Sequence, residues 1–160
     1  MTEWTAIWGN NPDDDYNLIR EINYNDKEVA VVKQSQQGLI LKWYVSPKGL
    51  VMPVDWFSKL LLDAKEGIVD PVTVIEEFVM SRWTADWTND PDDDYNLTLE
   101  ILCDDEHVAV IKRSHESLVL KWYSGPKGLI MPVDWLSGLL LSAKEGINNR
   151  LQEKLNNSQM

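Results

Sequence analysis

One stretch of this chain is written twice. WTAIWGNNPDDDYNL begins at Trp4 and WTADWTNDPDDDYNL begins at Trp83. The offset of 79 residues holds without a gap to Gly67 and Gly146, and 42 of the 64 aligned positions are identical. Two copies this alike are one structural unit made twice. The reading divides the chain into a first unit at residues 1–68, a linking helix at 69–82, a second unit at 83–146, and a C-terminal helix and tail at 147–160. The repeat also acts as a filter. A site common to both units cannot depend on a residue that only one of them has.

Within a unit the apolar period is first two. Tyr16, Leu18, Ile22 and Tyr24 alternate with Asn17, Glu21 and Asn23, as in a half-buried strand. Asn25-Asp26-Lys27 is a turn, and Val29, Val31 and Val32 form a β-branched strand matched by Val108, Val110 and Ile111. After a turn over 35–38, Leu39, Leu41 and Trp43 point to one face and Ile40, Lys42 and Tyr44 to the other. Ser46-Pro47-Lys48-Gly49 turns again, and Leu50-Val51-Met52 is a short extended piece before Pro53. A leading strand over 4–8 extends this set. The period then changes. Phe57, Leu60, Leu61 and Ala64 fall at i, i+3, i+4 and i+7, one face of a helix that starts at Pro53 and stops at Gly67. A second helix is expected from Pro71 to Arg82, striped by Val74, Ile75, Phe78 and Val79. The fold class expected is α+β: two tandem repeats, each an antiparallel meander of about four strands followed by a helix. Each unit is too thin to close a core alone, so the pair is expected to pack as a pseudo-dimer.

The order of sheet followed by GLVMPVDWFSKLLLDAKEG resembles the single-strand-binding proteins of the positive cofactor four and Whirly class. Those end their sheet with a Gly-led short strand, an aromatic and a Leu-rich helix, and Whirly proteins carry two such units. The resemblance covers Gly49 to Gly67 and Gly128 to Gly146. It implies a curved sheet whose lysines, arginines and aromatics hold single-stranded nucleic acid. The matching residues are Lys33, Lys42, Trp43 and Tyr44, with Lys112, Arg113, Lys121, Trp122 and Tyr123. From these, Lys42, Tyr44, Lys121 and Tyr123 are the candidate ligand face.

Charge argues the other way. The chain is −11 overall, and the halves at residues 1–79 and 80–160 carry −6 and −5, so neither is a basic arm. Phosphate binding rests on a cationic surface, and Glu21 and Glu100 lie beside the lysines of the matched strands. The aspartate triplets Asp13, Asp14, Asp15 and Asp92, Asp93, Asp94 are the natural metal candidates. In an extended chain only the first and third of each could converge, and no EF-hand glycine and distal glutamate accompany them. They read as solvated turns forming an anionic patch, with no metal and no cofactor expected.

Catalytic chemistry finds little support. His107 and His115 correspond to Glu28 and Gln36, and Cys103 to Tyr24, so no Cys–His or Ser–His site is shared by the units. No GxSxG, HExxH or phosphate-cradling loop is present. A lone cysteine, no basic and apolar leader, and no long apolar run together suggest a reduced, cytoplasmic protein without a membrane span. The expected function is that of a non-enzymatic acidic module docking on a basic surface of a protein partner, as an adaptor, inhibitor or immunity-type protein would. The alternative is the single-stranded DNA or RNA binder that the resemblance implies, with stacking supplying what charge does not.

Overall fold

The period-two segments pair as meanders, and each half contributes one main helix to the core. The computed structural model describes residues 3–12, 17–68, 80–94, 96–115 and 117–158. In the first half the strands are β1 (Trp4–Asn11), β2 (Asn17–Tyr24), β3 (Lys27–Ser35), β4 (Gly38–Trp43) and β5 (Val51–Pro53), followed by α1 (Val54–Gly67). In the second they are β6 (Trp83–Asp90), β7 (Asn96–Cys103), β8 (Glu106–Ser114), β9 (Ser117–Trp122) and β10 (Ile130–Pro132), followed by α2 (Val133–Ser158). Only Met80 to Arg82 of the expected linking helix fall among the described residues, and they belong to no helix.

Hairpin turns set the registers. Asn25 and Asp26 have φ of 51° and 67°, and Asp104 and Asp105 have 50° and 68°. Two consecutive left-handed residues make a two-residue loop whose twist matches the strands, and Asn and Asp tolerate that conformation. The leading strand runs the full length from Trp4 to Asn11 and pairs with β2 throughout. Because side chains alternate, Trp8, Arg20, Val32 and Leu41 share one face of the first sheet.

The two sheets are not each drawn from one half. Their orders are β1-β2-β3-β4-β10 and β5-β9-β8-β7-β6, with neighbours antiparallel. Each half thus completes the other's sheet with its short strand. The turn at Gly49, with φ of +85°, directs the chain across, and Gly128 repeats that angle. Main-chain bonds continue the exchange beyond the strands. Trp43 N–H donates to Leu129 O at 2.8 Å, and Trp122 N–H to Leu50 O at 2.9 Å.

The core lies between the sheets and helices. α1 buries Val54, Phe57, Leu60, Leu61 and Ala64, the stripe read from its spacing. Trp43 and Trp122 meet edge to face, with centroids 5.5 Å apart and planes at 69°. Both are buried, and among the described residues both indole N–H groups are enclosed without a hydrogen-bond partner. Around them the two halves mirror each other. Trp4 Nε1 donates to Val51 O at 3.0 Å and Trp83 Nε1 to Ile130 O at 3.1 Å. Lys65 pairs with Asp134 at 3.0 Å and Lys144 with Asp55 at 2.8 Å, tying each helix to the first turn of the other. These ion pairs are largely exposed, so each is worth under about 1 kcal/mol.

The helices end differently. α1 stops at Gly67, and Ile68 is extended with φ −94° and ψ 94°. α2 passes through Gly146, the counterpart, and continues to Ser158. The cause lies just beyond the repeated stretch. Pro71 follows α1 and removes a helical N–H, whereas Arg150 occupies the equivalent place in α2.

The Trp43–Trp122 contact predicts an ordering of variants. Trp43→Ala should cost about 3–5 kcal/mol in denaturant unfolding, the usual cost of deleting a buried aromatic. Trp43→Phe should cost less than half as much, because it also removes an N–H that lacks a partner. Equal costs would mean that the indole N–H is satisfied.

Candidate functional site

The faces turned away from the helices carry the polar candidates. On the second sheet Asp86, Glu100, Val110, Lys121 and Val51 line up across five strands, and Thr88 faces Thr98 one row along. A cavity of about 450 Å³ opens on this face. Its lining includes Asp90, Asp92, Thr98, Glu100, Lys112 and Tyr123.

The acidic rim is a local consequence of the PDDD sequence. Asp90 ends β6 and caps a single 3-10 turn, Pro91–Asp93, its carboxylate accepting from Asp92 N–H at 2.9 Å. Proline suits the first position of such a turn. Asp94 closes it with φ 55°, a conformation that Asp accepts more readily than most residues. The floor is set by strand pairing. Thr88 and Thr98 share a hydroxyl–hydroxyl hydrogen bond of 2.8 Å, and Thr98 is buried. Glu100 lies 3.4 Å from His107 Nδ1.

The cavity unites residues that the sequence presented separately. Asp92 of the acidic patch and Tyr123 of the candidate ligand face line the same space. Asp94 is exposed at the end of the turn, and Asp93 belongs to the turn itself. Asp13, Asp14 and Asp15 lie outside the described residues. Lys42 and Tyr44 occupy the equivalent outward face of the first sheet, where Lys42 pairs across to Val31 and Ile130. Lys33 shares that face and is paired with Ile40. Trp43 and Trp122, which the resemblance matched to ligand-holding aromatics, are at 0% and 1% exposure and cannot stack on a ligand. They belong to the other side of their strands and fill the core.

Three contributors were not singled out from the sequence: Asp90, Thr88 and Thr98. The signal for the threonines was divergence between the copies, since Gly9 and Ile19 stand at the equivalent places. That difference alters the site. Ile19 is buried on the first sheet's outward face, where the second sheet has a hydroxyl pair.

Electrostatics follow from the lining. Three carboxylates, from Asp90, Asp92 and Glu100, face one ammonium, from Lys112. The Tyr123 phenol is pushed above its ordinary value, first by burial and then by the carboxylates of Glu100 and Asp90. On the first half, Glu28 is likewise raised, by burial and by Glu21. Cys103 is raised mainly by burial, which keeps its thiol protonated and unreactive near neutral pH. Among the described residues no cluster of three or more metal-binding side chains gathers. No described helix is long and apolar enough to cross a membrane. Compared with protein-family models, curated proteins and solved structures, the chain matches none.

Titration of Tyr123 checks this electrostatic picture. In the folded protein Tyr123 should ionise at higher pH than in denaturant, and Tyr123→Phe should remove that step. Asp90→Asn with Glu100→Gln should bring it down toward the ordinary value of about 10. Because the folded value is raised, the stability this group contributes is present below pH ~10 and lost as pH rises through the folded value. A Tyr123 that titrates normally in the intact protein would contradict the assignment.

Proposed function

We propose that this protein is a non-enzymatic acidic docking module that captures a basic segment of a protein partner. The supporting observation is the cavity where Asp90, Asp92 and Glu100 converge beside Tyr123. Such a site suits a lysine or arginine side chain. The carboxylates accept its donors, the phenol ring lies along its stem, and the threonine hydroxyls supply further acceptors. The net charge of −11 adds long-range attraction, which speeds encounter with a cationic surface and disfavours acidic partners.

The two repeats form a covalently joined pseudo-dimer on this reading. Its support is the reciprocal placement of β5 and β10 and the paired Trp43 and Trp122. The second repeat supplies the docking cavity, and the first completes that sheet through β5. The same charge argument weighs against polyanions, since a phosphate entering the cavity would meet three carboxylates.

A second reading rests on a separate observation. Tyr44 and Tyr123 are exposed on outward sheet faces, each two residues after a lysine on the same face, Lys42 and Lys121. An aromatic beside a cation suits a stacked base of single-stranded DNA or RNA.

Fluorescence polarisation with a labelled Arg/Lys-rich peptide and a labelled single-stranded oligonucleotide separates the two. The docking reading expects peptide binding that weakens with salt, and at least about a tenfold loss for Asp92→Lys combined with Tyr123→Ala. Binding that these changes leave untouched would refute the cavity's role. Oligonucleotide binding that survives physiological salt and disappears in Lys42→Glu with Lys121→Glu would favour the second reading instead.

A further inference from the structure

A second cleft lies on the opposite half, on the helix side of the first sheet. It runs between β1–β2 and α1 and encloses about 220 Å³, lined by Ala6, Arg20, Trp56, Lys59, Leu60 and Asp63. Trp56 of the lining meets Trp4 with centroids 5.9 Å apart. Trp8 lies so close on Gly67 that an added Cβ would stand 2.5 Å from its ring. The Arg20 guanidinium stacks over that same indole, 4.6 Å from the ring centroid.

Arg20 is misplaced for a purely structural role. It pairs with Trp8 and Val32 and therefore sits on the face that elsewhere in this strand carries the core residue Ile22. Its Nε is enclosed and has no hydrogen-bond partner among the described residues. Among the described residues no ion pair joins it to Asp63, and none joins Lys59 to Asp63. A buried guanidinium donor without an acceptor is costly, and a carboxylate that accepts from it would recover that cost.

The second copy provides the comparison. At the corresponding positions it keeps Ala85, Trp135 and Leu139, with Trp83 on Trp135 at 5.9 Å and Trp87 on Gly146. It has lost every charge. Leu99, Gly138 and Ser142 stand where the first half has Arg20, Lys59 and Asp63. Three charged residues from two separate elements converge in one copy and are all replaced in the other, while the fold around them is the same. The fold therefore does not need them.

We propose that this cleft binds a small organic acid carrying one carboxylate on an apolar body. Arg20 and Lys59 hold the carboxylate, the first through paired N–H donors and the second as a point charge. Ala6, Leu60 and the Trp56 ring receive the apolar body. Asp63 leaves the site with a net charge of +1, which suits a monoanion and disfavours phosphate. The volume is below that of sites for drug-sized ligands, so the acid is small.

Nitrogen-15 NMR of the full chain titrated with benzoate tests the site, with inorganic phosphate as the second arm. The Trp56 indole N–H resonance should shift with benzoate, and that of its counterpart Trp135 should not. Arg20→Leu copies the residue the second half already carries, so it is compatible with the fold, and it should weaken benzoate at least about tenfold. Lys59→Ala on the exposed side of α1 should weaken it less. Phosphate should shift neither indole. The proposal is overturned if benzoate moves neither tryptophan, if it moves both alike, if phosphate binds as tightly, or if Arg20→Leu binds benzoate unchanged.

Discussion

The structure depends on the exchange of two three-residue strands. β5 and β10 are too short to hold a sheet edge by hydrogen bonds alone. They stay in place because what they carry is buried on arrival: Met52 and Met131 are fully enclosed, and so are the first residues of the helices they lead into, Val54 and Val133. The crossing also brings β4 and β9 together at Trp43 and Trp122. Burial of large aromatics contributes most at such a contact, with edge-to-face geometry adding about 0.5–1.5 kcal/mol. The exposed Lys65–Asp134 and Lys144–Asp55 pairs contribute less and follow from the exchange rather than cause it. The enclosed indole N–H groups are the cost of placing two tryptophans where no acceptor exists.

Exchange makes the halves mutually dependent and also frees them to differ. Each wall of the core appears twice, so one copy can change a lining residue while the architecture holds. On the outward faces, Thr88 and Thr98 open a polar cavity where the first half has Gly9 and a buried Ile19. On the helix side the reverse occurs, with Arg20, Lys59 and Asp63 in the first half against Leu99, Gly138 and Ser142 in the second. The polar residues lining both cavities include positions where the copies differ.

Charge alone would have given a poorer account of the surface. A net charge of −11 describes the whole chain, yet the small cleft beside α1 carries a guanidinium and an ammonium. The aspartate turn after β6 is anionic through its local sequence, and it lines a cavity because strand pairing sets Glu100 and Tyr123 next to it. That proximity, with burial, raises the Tyr123 phenol.

By itself the sequence determined the strands, their turns and the apolar stripe of α1, because those depend on neighbours two to four residues apart. The continuation of α2 through Gly146 was not read from the sequence, which ended both units at their matching glycines. The sheet to which Val51–Pro53 belongs was not legible. An alternating segment of three residues reads the same whichever edge it joins, and the choice rests on contacts about 70 residues away in the chain, such as Val51 with Lys121. The meeting of Asp92 with Tyr123, and of Arg20 with Lys59, was hidden for the same reason. Residues that far apart share no local pattern, and only strand pairing and helix packing bring them side by side.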